Sequence, residues 1–247
     1  MLAGSLELLV PHHQELRARL IKIFLAIFVC TAIAYGLSDH IARIFLAPLF
    51  QASPLIHKLV YTNLPDAFIS YIKLALLVGL VTSFPIILYQ IWMFIAPGLK
   101  NSEKKLAVVV VFWATLLFAA GAAFAFLAVL PRMLHFFMSY ATPNLEPLPR
   151  FGGYLTFVAR AMLAFGLSFE IPFLMVMAGK AGFVKADYFR KKRFLFYAAI
   201  VVLAFLLTAG DFMATAMLAI PLFGLYEAGI FLTALLSAEK NNPNTLK

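Results

Sequence analysis

Charge is scarce in this chain. Of its 247 residues only 13% are Asp, Glu, Lys or Arg, whereas 64% are hydrophobic. Soluble domains are about half apolar and about a quarter charged, so this composition argues against a soluble domain and indicates an integral membrane protein. The single cysteine, Cys30, lies in an apolar run. It excludes a disulfide within the chain and argues against a thiolate metal site.

Motifs of catalysis are missing as well. The sequence has no Gly-x-Ser-x-Gly elbow, no His-Glu-x-x-His, no Walker loop and no dinucleotide fingerprint. Its 5 histidines are scattered over loops and interfacial stretches, without metal-ligand spacing on one face. We therefore expect no enzymatic activity, no metal site and no cofactor.

Six apolar stretches predict an all-α integral membrane protein with six transmembrane helices. The prolines inside three of them, Pro85, Pro172 and Pro221, indicate kinked helices and a concave bundle. A short interfacial helix is expected before the first span. Loops are expected over 38–66, with an amphipathic piece at Ile41–Leu46, and over 131–153, with a short helix up to Tyr140. The expected spans form a single domain, 1–236, with a polar cytoplasmic tail at 237–247, and are about 20–37, 67–95, 106–130, 154–178, 194–209 and 214–236.

The cations predict the orientation. Most of the 20 Lys and Arg fall in the N-terminal segment, in the second and fourth connecting loops and in the tail. By the positive-inside rule both termini are cytoplasmic. A basic excess confined to one side of a membrane also argues against nucleic acid as a partner. The fifth span, only some 16 residues or ~24 Å long, is shorter than the ~30 Å hydrocarbon core. We expect it to thin the bilayer locally or to tilt its neighbours.

An acidic residue within the fourth span is a candidate functional group. An acidic residue at the centre of a spanning helix costs roughly 3 kcal/mol, so Glu170 should face a partner or a wet cavity. The alternative is a neutral Glu170 that is hydrogen-bonded between helices. Glu227 lies at a similar depth in the sixth span, and Gln90 is a plausible hydrogen-bonding neighbour of Glu170. Lys73 and Arg160, near the outer surface, are explained by snorkelling.

Two carboxylates lie in the short cytoplasmic segments that enter or join the spans. Glu15 and Glu103 are placed to ring the inner mouth of the bundle, where a carboxylate pair binds a guanidinium bidentately. Phe94, at the same level, is placed to cover an apolar peptide or to stack on an arginine. The alternative for Glu15 is an i, i+4 pair with Arg19. The alternative for Glu103 is a first-turn carboxylate that complements the helix dipole.

Two residues are assigned to the outer side. Pro48 and Asp211 are expected to be turn residues in the first and third outer loops. Asp211 is also placed to accept hydrogen bonds from the first residues of the sixth helix.

Several of these stretches together resemble the TatC family, the multispanning subunit of the twin-arginine protein translocase. The resemblance covers nearly the whole chain. One departure is the outer turn Thr208-Ala-Gly-Asp211, where the family usually has Thr-Pro-Pro-Asp. The stretches that carry the resemblance are His12-His13-Gln-Glu15-Leu-Arg17-Ala-Arg19, Ala47-Pro48-Leu49, Phe84-Pro85 to Gly98-Leu99, Glu103-Lys-Lys, Ala164-Phe-Gly-Leu-Ser-Phe-Glu170-Ile-Pro172 and Ala219-Ile-Pro221 to Glu227.

The resemblance implies a receptor in the bacterial inner membrane for folded proteins whose N-terminal signal carries two arginines. Glu15, Phe94 and Glu103 would form the recognition patch, with Glu103 the direct contact for the arginines and Arg17 in a supporting role. Glu170 would line the concave face. The implied partners are the single-span TatA and TatB subunits, other TatC copies, twin-arginine signal peptides and membrane lipid. Export would draw on the proton-motive force, with no nucleotide site in this chain.

Two other classes of function compete with this interpretation. Glu170 and Glu227 on proline-broken helices also suit a proton- or cation-coupled transporter of small solutes. No internal repeat relates the two halves of the sequence, which argues against it. An intramembrane protease is disfavoured because a nucleophile and base pair is missing.

Overall fold

The structure, a computed structural model, describes residues 2–52, 56, 58–61, 63–95, 101–140, 142, 147–180, 184, 187–208 and 210–240. Within these ranges, the side chains of 2–13, 95, 101–107, 180, 207 and 236–240 lie outside the description. In the described part, helices are joined by turns and short irregular stretches, and an isolated bridge pairs Val60 with Arg150. Its helices are α1 (Leu2–Gly36), α2 (Ser38–Ala52), α3 (Asp66–Ile95), α4 (Asn101–Phe124), a π-turn (Ala125–Val129), α5 (Leu130–Met138), α6 (Phe151–Lys180), α7 (Tyr188–Lys191), α8 (Arg193–Leu207) and α9 (Phe212–Lys240).

Among the described residues, five helical segments are long and apolar enough to cross a membrane, judged by length and composition. They agree with five of the predicted spans. The remaining one, Arg193–Leu206, is apolar but shorter. An all-α membrane protein is thereby confirmed, while the count of six spans and the direction of the termini stay predictions. The five segments are Gln14–Gly36, Asp66–Phe94, Val108–Met138, Phe151–Gly179 and Phe212–Leu235.

Two predictions for the beginning of the chain are wrong. The backbone of α1 is continuous from Leu2 to Gly36, so no separate interfacial helix precedes the first span. Pro48 is not a turn residue, because it lies inside α2. Ala42, Leu49 and Ala52 are buried along this helix, at spacings that share one face. Burial of that face stabilises helix in a stretch whose proline alone suggests a loop.

The third predicted span does not end at residue 130. Its helix widens into the π-turn and continues as α5, with Pro131 in the first turn of α5. Proline has no N–H to donate to the carbonyl four residues back, which favours a wider turn at this point. The guanidinium of Arg132 donates to the Ala128 carbonyl of the π-turn at 2.7 Å. This side-chain bond links Arg132 to the π-turn one turn before it.

The chain divides into two compact units. The first comprises residues 1–47, 60–116 and 150–155. In it α1 packs along α3, and the two backbones approach so closely that a Cβ on Gly79 would lie 2.7 Å from the Thr31 Cα. The buried Tyr154 donates its hydroxyl hydrogen to the Phe45 carbonyl at 2.7 Å. This bond ties the start of α6 to α2.

The second unit comprises residues 48–59, 117–149 and 156–247. Glycines allow the helices of this unit to approach closely where they cross. A Cβ on Gly121 of α4 would lie 2.5 Å from the Phe165 carbonyl oxygen of α6, and a Cβ on Gly229 of α9 would lie 3.1 Å from the Pro172 Cα of α6. Helix α8 packs against α9. Aromatic rings pack at their interface. Among them, the rings of Phe196 and Tyr226 are stacked, with their centroids 5.1 Å apart.

Candidate functional site

Glu15, in the part of α1 that precedes the apolar run, is engaged by a neighbour on the same helix. The Nε of Arg19 donates to Oε1 of Glu15 at 3.1 Å, and a second guanidinium nitrogen contacts the same oxygen. The i, i+4 pair that the sequence offered as an alternative for Glu15 is confirmed. The pair is only partly covered, with 33% of the Glu15 side chain and 17% of the Arg19 side chain exposed. Arg17, on another face, is exposed.

The packing of α1 on α3 relates Glu15 to Phe94. The two helices touch at Thr31 and Gly79. Glu15 lies 16 residues before Thr31 and Phe94 lies 15 residues after Gly79, so the two are ~24 Å and ~22 Å from the contact. Consecutive membrane-crossing helices run in opposite directions, which brings Glu15 and Phe94 to the same end of the pair. Phe94 is half-buried and interacts with the protein.

The short connection from α3 to α4 keeps Glu103 near the end of the α1 and α3 pair that carries Phe94. It is the third residue of α4, so its backbone is in the first helical turn, and 8 residues separate it from Phe94. The helix begins at Asn101, before residue 106, where the third span was expected to start. An acidic residue in a first turn is stabilised by the helix dipole, whatever else it binds. The Glu103 side chain lies outside the described residues, so its contact with Glu15 or Phe94 stays a prediction.

Glu170 is buried inside the second unit, with 6% of its surface exposed. Its carboxyl group faces the backbone of Phe118 in α4, and its Oε1 has no hydrogen-bond partner among the described residues. A buried carboxyl oxygen without a partner costs free energy, which singles out Glu170 as a place for an additional polar group or water. Gln90 belongs to the other compact unit, and its bond to Glu170 stays a prediction.

Glu227 has partners that the sequence did not reveal. Its Oε2 accepts from the guanidinium of Arg193 at 2.7 Å, and its Oε1 accepts from the Tyr197 hydroxyl. Both partners lie at the start of α8. The ion pair is partly covered, with 42% of the Arg193 side chain and 38% of the Glu227 side chain exposed. Glu227 therefore joins α9 to α8 in a polar contact of its own.

The two carboxylates of the second unit lie at a similar level. Gly229, two residues after Glu227, is the residue of α9 that approaches Pro172, two residues after Glu170. Four residues further along α9, Thr233 faces Gly179 of α6. The contacts advance in the same direction along both helices, so α6 and α9 run parallel here. This spacing supports the similar depth that the sequence predicted.

The turn between α8 and α9 is closed by polar atoms. Oδ1 of Asp211 accepts from the backbone nitrogens of Met213 and Ala214, at 2.9 Å each, as the sequence predicted for the start of this helix. The hydroxyls of Thr208 and Thr215 are 2.7 Å apart. Gly210 has a φ of 89° and donates its N–H to the Phe205 carbonyl. The left-handed glycine makes this a helix-ending turn in place of the rigid prolines usual in the resembled family.

The contact between Arg193 and Glu227 was not predicted, but the spacing of these residues in the sequence indicates it. Arg193 lies 15 residues before Thr208, and Glu227 lies 16 residues after Asp211. Two helices joined by a short turn bring positions at equal distances from that turn together, so the Arg193 and Glu227 pair could have been found by counting. The bond from Tyr154 to Phe45 spans 109 residues and has no such signal.

These features define a multispanning membrane protein with polar groups placed at helix ends and inside the spans. Comparisons with known proteins identify its family. The family model "Sec-independent protein translocase protein (TatC)" matches residues 11–221. The TatC of Desulforapulum autotrophicum is 35% identical over 89% of this chain and 81% of its own length. The TatC of Escherichia coli K12 is 34% identical over 90% of this chain and 86% of its own length.

Solved structures agree with the sequence comparison. A crystal structure of a twin-arginine translocase receptor, TatC, superposes with a TM-score of 0.83, at 32% identity, and covers 92% of this chain and 99% of its own. The chain belongs to the TatC family. It is a core subunit of the Sec-independent, twin-arginine protein translocase, which is a protein-transport system, and it is not an enzyme.

Proposed function

We propose that this subunit binds twin-arginine signal peptides at its cytoplasmic face, through a patch formed by Glu15, Arg17, Phe94 and Glu103. The carboxylates bind the two guanidinium groups, bidentately where geometry allows, and Phe94 covers the apolar part of the signal. Arg17 supports the patch. The observation that supports the proposal is the close packing of α1 on α3 at Thr31 and Gly79. If these successive spans run in opposite directions, Glu15 and Phe94 share one end of the pair, near the start of α4 that carries Glu103.

The membrane disposition is part of the same proposal. Six spans place both termini in the cytoplasm of a bacterial cell, with α8 as the short fifth span of the inner membrane protein. Its apolar composition and its packing against α9 support a crossing helix. The distribution of Lys and Arg supports the direction.

The remaining parts of the translocase complete the proposal. Single-span TatA and TatB subunits and further copies of this subunit assemble around it in membrane lipid, and the proton-motive force drives export of folded proteins. Glu170 supplies a polar group inside the bundle, which is supported by its Oε1 atom, for which the described residues offer no hydrogen-bond partner. Glu227 serves this region indirectly, since its bonds to Arg193 and Tyr197 hold α8 against α9.

The test is photo-crosslinking of a twin-arginine signal peptide to the protein in membranes. We expect crosslinks to wild type, loss of them with Glu103→Ala and Glu103→Gln, and none with a peptide in which two lysines replace the arginines. Abundance and membrane insertion of the variants should be unchanged.

Asp66→Asn is the matched control, because Asp66 is a first-turn carboxylate of α3, at the opposite end of that helix from Phe94. It should leave crosslinking intact. Equal crosslinking of Glu103→Gln and wild type would reduce Glu103 to a helix-dipole residue and transfer the search to Glu15. No crosslink to wild type, with TatB supplied, would refute signal-peptide binding by this subunit.

A further inference from the structure

A short basic segment between α6 and α8 takes no part in the sites described above. Arg190 and Lys191 lie in α7, Lys192 follows that helix, and all three side chains are exposed. The two ion pairs found among the described residues involve none of the three. These three residues form a basic corner whose cations have no carboxylate partner in the described part of the chain.

The charge of the basic corner is not cancelled by the described residues next to it. Arg193, the next residue along the chain, is paired with Glu227, so that pair adds no net charge. The exposed Asp187 precedes α7 and supplies one negative charge. Three cations against one carboxylate leave the surface positive, and such a surface attracts anions.

The backbone of the basic corner is held in place by buried contacts. The Tyr226 hydroxyl of α9 donates to the Phe189 carbonyl at 2.8 Å, and the centroid of the buried Phe189 ring lies 5.8 Å from that of Phe196 in α8. The backbone nitrogens of Lys191 and Lys192 donate to carbonyls one helical turn back, at 2.9 and 3.1 Å. This anchoring lowers the conformational entropy that the segment loses when a ligand binds.

The residues on either side of the cations indicate a membrane surface. Phe194 and Leu195, in the first turn of α8, are 88% and 62% exposed, and α8 continues as an apolar helix. Tyr188, which is exposed before the cations, is of a type enriched at membrane interfaces. An anionic phospholipid matches this order of groups, with phosphate at the cations and acyl chains at the apolar side chains. A free phosphate ion or an acidic peptide uses the cations alone.

We propose that the basic corner binds the phosphate groups of anionic phospholipids at the membrane surface where α8 begins. Arg190 offers a planar fork for two phosphate oxygens, and Lys191 and Lys192 act as point charges on flexible stems. Phe194 lies beside the first methylenes of the acyl chains. The site anchors the start of α8 to one leaflet. It rests on the proposed crossing of the membrane by α8, whatever the direction, and is independent of signal-peptide binding.

Native mass spectrometry of the full-length protein in a maltoside detergent measures the affinity. Phosphatidylglycerol and the zwitterionic phosphatidylcholine are titrated in separately, and the dissociation constant of the bound lipid is determined for each. Near an anionic surface each cation strengthens association about fivefold, so joint replacement by Arg190→Gln, Lys191→Gln and Lys192→Gln should weaken phosphatidylglycerol binding by up to about 100-fold. Binding of phosphatidylcholine, weaker in wild type, should hardly change.

A matched triple variant, with Lys22→Gln, Arg43→Gln and Lys58→Gln, removes the same number of exposed cations from three separate segments. It should keep nearly all of the phosphatidylglycerol binding. Equal loss of binding in the two triple variants would overturn the proposal, because the net charge alone would then explain the effect. Equal affinity of wild type for the two lipids would overturn it as well.

Lysine acetylation of the wild-type protein locates the site, and it decides the matter if the basic-corner variant fails to fold. Phosphatidylglycerol should protect Lys191 and Lys192 and leave Lys22 and Lys58 reactive; equal reactivity of all four lysines with the lipid present would contradict the proposal. Full protection by inorganic phosphate would show a simple anion site instead. Protection in native membranes but not by phosphatidylglycerol would identify an acidic protein segment as the occupant, and the lipid proposal would be wrong. Signal-peptide crosslinking to the basic-corner variant should match wild type, so the two proposals can fail separately.

Discussion

The crossing of α4 and α6 gives the sharpest prediction about stability. At Gly121 the two backbones are in contact, since an added Cβ would lie 2.5 Å from the Phe165 carbonyl oxygen and 3.0 Å from the Gly166 Cα. On the other side, the Phe118 ring covers Gly166. Glu170 lies one helical turn beyond Gly166. Gly121→Ala should therefore destabilise the fold and displace the segment that carries Glu170.

The magnitude follows from the distances. Ordinary contact begins near 3.4 Å, so the α6 backbone must retreat by about 0.9 Å at Phe165. Overpacking of this kind costs about 1–3 kcal/mol. Alanine recovers up to about 1 kcal/mol through its better helix propensity. When the full gain is subtracted, the expected net effect is a loss of up to about 2 kcal/mol in the free energy of unfolding.

Gly224→Ala supplies the matched control. Gly224 is also a helical glycine of an apolar span, in α9, but an added Cβ there meets no atom within 4 Å. This variant should be neutral or up to about 1 kcal/mol more stable. The assay is reversible unfolding in mixed micelles, monitored by circular dichroism and analysed as a free energy for each variant. If the two variants unfold with the same free energy, the contact between Gly121 and α6 does not constrain the crossing.

Three further variants test single contacts, each by its unfolding free energy in the same micelles. Asp211→Ala should cost about 1 kcal/mol, because the first turn of α9 loses its cap, while Asp211→Asn should keep most of it. Tyr154→Phe should cost about 1 kcal/mol, because the hydrogen bond from the buried Tyr154 to the Phe45 carbonyl is lost; an unchanged value would mean that water replaces the hydroxyl. Glu227→Gln should cost at most about 1 kcal/mol, since its pair with Arg193 is partly exposed. A larger loss would show that the pair is shielded by lipid.

The long apolar runs predicted the helices well. Each spanning helix contains a stretch with almost no charge, and hydropathy alone requires that it satisfy its backbone hydrogen bonds internally. The position of Asp211 also predicted its capping role, because a cap depends only on neighbours in the sequence. Local information was sufficient in both cases.

Features that depend on distant contacts were not predictable in the same way. Pro48 suggests a loop, yet burial of Leu49 and its neighbours keeps the segment helical. The third span passes Pro131 through a π-turn, where the Arg132 side chain also bonds the Ala128 carbonyl. For Glu170, the sequence predicted a position within the membrane but could not say that one carboxyl oxygen finds no hydrogen-bond partner in the described part of the chain. Such facts follow from packing between helices.

The pair between Glu15 and Arg19 bears on how a signal peptide would bind. On the proposed function, an incoming arginine must compete with Arg19 for the same carboxylate. Breaking the pair costs little free energy, because both side chains are partly exposed and such a pair contributes at most about 1 kcal/mol. Before a signal peptide binds, Arg19 holds the Glu15 carboxylate in one orientation, which lowers the entropy lost on binding. Arg19→Leu should therefore leave Glu15 free to bind, with any change in peptide affinity well below that caused by Glu103→Gln.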